Sequence, residues 1–245
     1  MRILCVFAHP DDECYCSGTL AKLAGQSTPN HDGQYEKDHV IRAIFMNDGV
    51  GIRRTESGKY EFNSVENPDE RRVIRLKELD MSMSLIGIED YQVFDTPNMR
   101  MDTIPQLEIN RIIEDDITRF KPNLVITHYG NDLNEDHRRT YTGVKIATRL
   151  RPDSIVKGVI CTDNDQSRDI FKPNMHVDIQ DTLDVKTKCM EAYQSEYQPP
   201  PAERNKETMV TMARYNGYKA GINFAENFQI LYLLNPILFK SNNTS

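Results

Sequence analysis

Short strand-forming apolar runs alternate along this chain with stretches of helical periodicity, and that alternation restricts the fold more than any other feature. Arg2-Ile3-Leu4-Cys5-Val6-Phe7-Ala8, His39 to Met46 and Asn123-Leu124-Val125-Ile126-Thr127-His128 are dominated by apolar and β-branched residues. That is the pattern of strands covered on both faces in a parallel sheet. Glu70 to Ile86 places Val73, Leu76, Leu79, Met83 and Ile86 at spacings of three and four, with Gly87 as a stop, and predicts an amphipathic helix. Further helices are expected from Ser17 to Ala24, Leu107 to Phe120 and Arg139 to Leu150, with a short strand at Tyr91-Gln92-Val93-Phe94. The expected fold class is α/β: a Rossmann-like, mostly parallel sheet with helices on both faces, in a single domain. The domain is expected to span residues 1–239, followed by a frayed tail over residues 240–245.

The 245 residues suit one such domain, with ample length for a core that needs neither disulfides nor a structural metal. A formal charge of −7 argues against a binder of nucleic-acid phosphates. The five cysteines are odd in number, and Cys14-Tyr15-Cys16 has one intervening residue where zinc and thioredoxin-like pairs have two. Reduced, structural thiols in a cytoplasmic protein are therefore expected. The N-terminus carries no signal-peptide pattern, and no apolar run reaches the ~18 residues of a membrane span. Two polar stretches, Gln26 to Asp38 and Gly51 to Asp69, are expected to be loops, the second long enough to suggest function.

The first apolar run ends in His9-Pro10-Asp11-Asp12-Glu13, one imidazole and three carboxylates within five positions. Such crowding is repulsive unless a cation or shifted pKa values relieve it. A divalent metal is one relief, since His and Asp supply the nitrogen and oxygen ligands of zinc and a hydrolytic site keeps one position for water. The other is helix capping, because acids at a helix start offset its dipole. A metal would need a second imidazole from elsewhere. Asp136-His137, after a neighbouring strand, can supply it, but spacing alone does not select His137 over His128 or His39.

With these motifs in view, the chain resembles the LmbE-like (PIG-L) N-deacetylases of amino sugars. The resemblance begins at Ala8-His9-Pro10-Asp11-Asp12-Glu13 and continues through Asn47-Asp48-Gly49, Arg75 with Glu78, Asp95 near Asp102, and Thr127-His128 to Asp136-His137-Arg138. It extends to Phe171-Lys172-Pro173-Asn174, Lys186, Tyr193 with Ser195-Glu196, and Ala225-Glu226-Asn227-Phe228. Carried over, it implies that His9, Asp12 and His137 hold one Zn2+ per chain, other divalent transition metals being compatible with the same ligands. It implies that Asp11 is the general base, with Glu13 in a supporting role. Much of the family has a histidine three positions before the second metal-binding one, where this chain has Asn134. An amide donates a hydrogen bond but delivers no proton. Either Asn134 steadies the oxyanion while Asp11 makes both transfers, or His128 supplies the acid. Arg75, Asp48 and Asp95 are candidates to contact substrate, against an ordinary ion-paired arginine and turn-capping aspartates, while Arg53-Arg54 either meets an anionic group or, the commoner case, is a solvated charge pair. Gln198 to Arg204, with its triple proline, departs from the relatives' pattern and is expected to be a stiff loop.

The expected function is removal of an N-acyl, chiefly acetyl, group from a small-molecule amino sugar or a conjugate of one, with no nucleic-acid partner, no membrane span and an assembly of copies compatible with the family. Two alternatives accompany it: hydrolysis of another amide or an ester by the same site, and a non-catalytic metal- or sugar-binding relative.

Overall fold

A strand covered on both faces must hand alternate residues to two different cores, and β1 (Arg2–Phe7) does so in the computed structural model of the chain. Ile3, Cys5 and Phe7 join one hydrophobic cluster, and Leu4 and Val6 join another. The structure describes residues 1–25, 39–50, 52–54, 60–62, 68–162 and 171–234, with the backbone alone described at 52–54, 60–62 and 68. The other strands are β2 (Val40–Phe45), β3 (Ile52–Arg54), β4 (Tyr60–Phe62), β5 (Asp90–Val93), β6 (Leu124–His128), β7 (Gly158–Thr162), β8 (Met175–Asp178) and β9 (Ala225–Leu233). The helices are α1 (Ser17–Leu23), α2 (Pro68–Ile86), α3 (Gln106–Phe120), α4 (Glu135–Ala147), α5 (Leu183–Ala192) and α6 (Lys206–Ala220).

Seven strands form one sheet in the order β5-β2-β1-β6-β7-β9-β8. Pairing is parallel from β5 through β7 and antiparallel on both sides of β9. The mostly parallel α/β fold expected from the sequence is therefore present. Leu20 of α1, Leu79, Met83 and Ile86 of α2, Cys189 and Met190 of α5 and Met209 of α6 fill the first core. Ile109, Ile113, Ile117 and Phe120 of α3 and Val144 of α4 fill the second, on the opposite face. Chain direction across the sheet reverses between β1 and β6, and such a switch point opens a crevice beyond the strands' carboxyl ends. Both His9 and His128 sit at that edge.

Three local expectations are corrected. The helix expected from Arg139 begins at Glu135, because Asn134 caps it: its Oδ1 accepts the Asp136 N–H at 2.9 Å. The stretch from Gly51 to Asp69 is not all loop, since β3 and β4 pair as an antiparallel ribbon and α2 starts at Pro68. Val73 faces solvent, and the buried stripe of α2 instead takes in Arg75, Glu78 and Ser82 beside Leu79, Met83 and Ile86. Gly87, at φ 89°, ends α2 as expected, with its N–H and that of Ile88 both returning to the Met83 carbonyl. The Arg53 and Arg54 side chains, Gln26 to Asp38 and the 239/240 boundary lie outside the described residues. No described helix is long and apolar enough to cross a membrane.

Candidate metal centre

After β1 the backbone turns sharply. Asp11 adopts φ 106° and ψ −19°, a conformation that costs a non-glycine residue about 1–3 kcal/mol and persists only where its surroundings hold it. A single 3-10 turn, Asp12–Tyr15, follows, entirely buried. Its acids do not cap the next helix: the Gly18 and Thr19 N–H groups of α1 instead donate to Glu226, at 3.0 and 2.7 Å, from the far end of the chain. Asp12 folds back to accept the His9 N–H at 2.7 Å. Glu13 accepts from the Asp11 N–H at 3.0 Å and from the Ser82 and Tyr193 hydroxyls at 2.6 Å each. Burial raises the Glu13 carboxyl to about 7, against the lowering effect of those hydroxyls. Glu13 thus braces the turn from within.

The cap on α4 puts His137 in that helix's first turn, aimed back at β1. His9 Nδ1 lies 3.3 Å from His137 Nε2 and 3.5 Å from an Asp12 oxygen, and the other Asp12 oxygen lies 3.2 Å from His137 Nε2. Ligand atoms at ~2.0–2.2 Å around a tetrahedral zinc would stand about 3.3 Å apart, so this spacing fits. The far ring nitrogens are engaged as well: His137 Nδ1 lies 2.9 Å from Asp132, and His9 Nε2 lies 3.1 Å from Asp136. A carboxylate behind each ring takes the N–H and leaves the inward nitrogen its lone pair, the arrangement that metal-binding histidines require. Asp136 is itself fixed by the backbone N–H groups of Met99 and Met101 at 2.6 and 3.0 Å. Burial alone would lower the His137 pKa, but Asp12 and Asp132 outweigh it and raise it to about 10. Positive charge is thus favoured at this position. His128, Asp132 and His137 form a second grouping, overlapping the first through His137.

His128 stacks on His137 with ring centroids 4.0 Å apart, and its Nε2 accepts the Ala8 N–H at 2.8 Å. Burial lowers its pKa, with the neighbouring His137 adding to the effect. Asn134, half-buried, spends Oδ1 on the cap and directs Nδ2 to the Met99 sulfur at 3.6 Å.

Asp11 is buried between two guanidinium groups. Arg204 Nη1 stands 2.9 Å from its Oδ2 and Arg75 Nη1 3.7 Å away. Glu196 bridges the pair, accepting from Arg204 at 2.6 Å and from Arg75. Arg75 also donates to the Pro10 carbonyl at 3.0 Å and faces Glu78 at 3.7 Å, so its charge is consumed within the protein. Asp48 and Asp95 flank Arg72 at 3.4 and 3.6 Å; Asp48 also caps its own turn, accepting the Val50 N–H at 2.9 Å, while Asp95 is exposed. Asn47 Oδ1 accepts the Gly49 N–H, whereas its buried Nδ2 has no partner among the described residues.

Sequence reasoning missed Arg204, Glu196, Asp132 and Asp136 as parts of this centre. The two aspartates bracket Asn134 in sequence at even spacing. Arg204 follows a stiff proline loop, and nothing local marks its reach to Asp11.

Comparison with known proteins bears on the same residues. The PIG-L family model, described as GlcNAc-PI de-N-acetylase, matches residues 4–148, which span His9 through His137. A relative from Bacillus anthracis, "Probable N-acetyl-alpha-D-glucosaminyl L-malate deacetylase 2", is 23% identical over 210 residues, covering 84% of this chain and 86% of its own length. Solved structures share the fold, and two of them illustrate it. The 4-carboxy-2-hydroxymuconate hydratase GalB from Pseudomonas putida aligns with a TM-score of 0.73 at 18% identity, covering 94% of this chain and 96% of that one. The N,N'-diacetylchitobiose deacetylase from Pyrococcus horikoshii aligns with a TM-score of 0.71 at 22% identity, covering 99% and 87%.

Proposed function

Since the chain belongs to the PIG-L family, we propose that it is a metal-dependent N-deacetylase that releases acetate from an N-acetylated amino sugar or its conjugate. The observation that carries this is the convergence of His9, Asp12 and His137 one residue from a carboxylate, Asp11, clamped by two arginines. A centre that only stored a metal has no need of a fixed base beside it. Two relatives named for deacetylation of glucosamine derivatives support the choice of bond and of sugar. Two nitrogens and one oxygen suit zinc, one ion per chain, and do not exclude iron(II) or cobalt.

His9, Asp12 and His137 would hold the ion, which when bound supplies Lewis acidity to the acetyl carbonyl and to water. Asp11 takes the proton of the attacking water and delivers it to the departing nitrogen, both transfers falling to one carboxylate. His128 is ill placed as the acid, because the nitrogen facing Asp12 is already occupied by the Ala8 N–H. Asn134 acts through the cap that aims His137 rather than through a proton.

The test is a panel of N-acetylglucosaminides incubated with the zinc-loaded protein, scored for acetate and free amine in equal amounts. The GalB likeness makes a second assay worthwhile: water addition to an unsaturated carboxylate, without amine release from any acetylated sugar, would overturn the proposal.

A further inference from the structure

We propose that Lys186 and Glu226 are positioning residues for the metal: together they latch the turn that carries Asp12 to the C-terminal third of the chain. Both are buried, Lys186 on α5 at 4% exposure and Glu226 on β9 at 2%. An ammonium group has three protons to donate. Three acceptors stand at 2.8 Å from Lys186 Nζ: the Cys14 and Tyr15 carbonyls and Glu226 Oε1. Glu226 holds the segment that follows, accepting the Gly18 N–H through Oε1 and the Thr19 N–H through Oε2. An added Cβ at Gly18 would stand 3.1 Å from Glu226 Oε1 and 3.1 Å from Ile179, so a glycine there admits the carboxylate. The latch thus grips the chain from Cys14 to Thr19.

Stability does not account for two charges in this place, since a buried ion pair gains little over apolar residues of the same volume. Apolar residues would give up the bonds to two turn carbonyls and two helix N–H groups, and what those bonds fix is a position. Cys14 and Tyr15 lie two and three residues past Asp12 in the same 3-10 turn. Through its two oxygens Asp12 stands 3.2 Å from His137 and 3.5 Å from His9. Ligands must be held to within about 0.5 Å of their working places, and a turn of four residues has no length in which to absorb a shift at its end. Lys186 and Glu226 lie beyond residue 148, outside the stretch that the family model matches, whereas the proposed ligands and base lie within it. The C-terminal third supplies this latch as it supplies Arg204 and Glu196 beside Asp11. The inference rests on the reading of Asp12 as a metal ligand.

The test reads metal binding, not turnover. Cobalt(II) is titrated into the full chain against a competing chelator, and its visible absorption reports the geometry of the ligand set. Lys186→Met/Glu226→Gln removes both charges at once, so neither is left buried alone, and it keeps an acceptor oxygen for α1. Expected is cobalt affinity about tenfold weaker than in the wild type with an altered absorption band, against a change below about threefold in Glu226→Gln, where Lys186 still holds both carbonyls. Phe120→Leu, in the opposite core, controls for lost stability and should bind cobalt as the wild type does. Should the first variant not fold, Lys186→Gln/Glu226→Gln keeps a polar group at each end, and a loss of about threefold to tenfold is expected. Wild-type affinity and band in the folded double variant, or equal weakening in Phe120→Leu, would overturn the latch and leave the metal reading standing. A cobalt band that survives His137→Ala would overturn the metal reading, and the latch with it.

Discussion

At the scale of single residues, the centre separates groups that face its middle from groups that hold them still. Asp11, at positive φ between Arg75 and Arg204, is the proposed base. Asp11→Asn keeps the shape and removes the proton acceptor, so the expected result is full metal occupancy with kcat reduced by roughly 10²–10⁴-fold. His137→Ala should lose metal and activity together; full occupancy on elemental analysis would strike it from the ligand set. Arg204 touches Asp11 and Glu196 but none of the ligands. Arg204→Ala is therefore expected to lower kcat about tenfold to a hundredfold while metal content stays at the wild-type value, whereas equal losses of metal and rate would assign it a merely structural part. Asp132→Asn weakens the support behind His137, and metal competition titrations should show affinity falling about 10–100-fold.

Elements explain why only part of this was legible. The strand runs 2–8 and 123–128 were readable because burial on both faces leaves an apolar run that little else produces. The run after Phe7 was readable as a crowd of acids, yet its capping interpretation fails on a contact no local pattern encodes: Glu226 supplies the cap on α1 from more than two hundred positions away. Arg75, Glu78 and Ser82 interrupt the inward stripe of α2 with polar groups, and that interruption marks the side facing the turn at Asp11 and Glu13. The start of α4 lies four residues before the expected one because Asn134, where relatives carry a histidine, is a helix cap. That reassignment is testable. Asn134→Ser preserves a capping oxygen without the amide, and should keep kcat within about threefold. Asn134→Ala should lose about 1 kcal/mol of stability in urea melts. A hundredfold loss of kcat in Asn134→Ser would return this residue to the chemistry.

At the scale of the whole molecule, packing positions the proposed ligands. His9 follows a strand buried between two cores, His137 follows a cap, and hydrogen bonds with Asp132, Asp136 and the His9 N–H hold the three proposed ligands in place. All five cysteines are buried and unbridged, as a reduced core predicts. A zinc finger, by contrast, has too little core to fold without its ion. Chelation should then abolish hydrolysis while leaving the far-UV circular dichroism at 25 °C unchanged. Metal that binds only the folded state still adds stability by mass action, about 4 kcal/mol at a thousandfold excess over Kd. With roughly 2–4 °C of Tm per kcal/mol for a chain of this size, the apo protein should melt some 8–16 °C lower. Adding back zinc should restore rate and melting point together. Loss of helical signal at 25 °C on chelation would mean that the turn at Asp11 is assembled by the metal, and that the strain at this residue is held by the ion rather than by the two arginines.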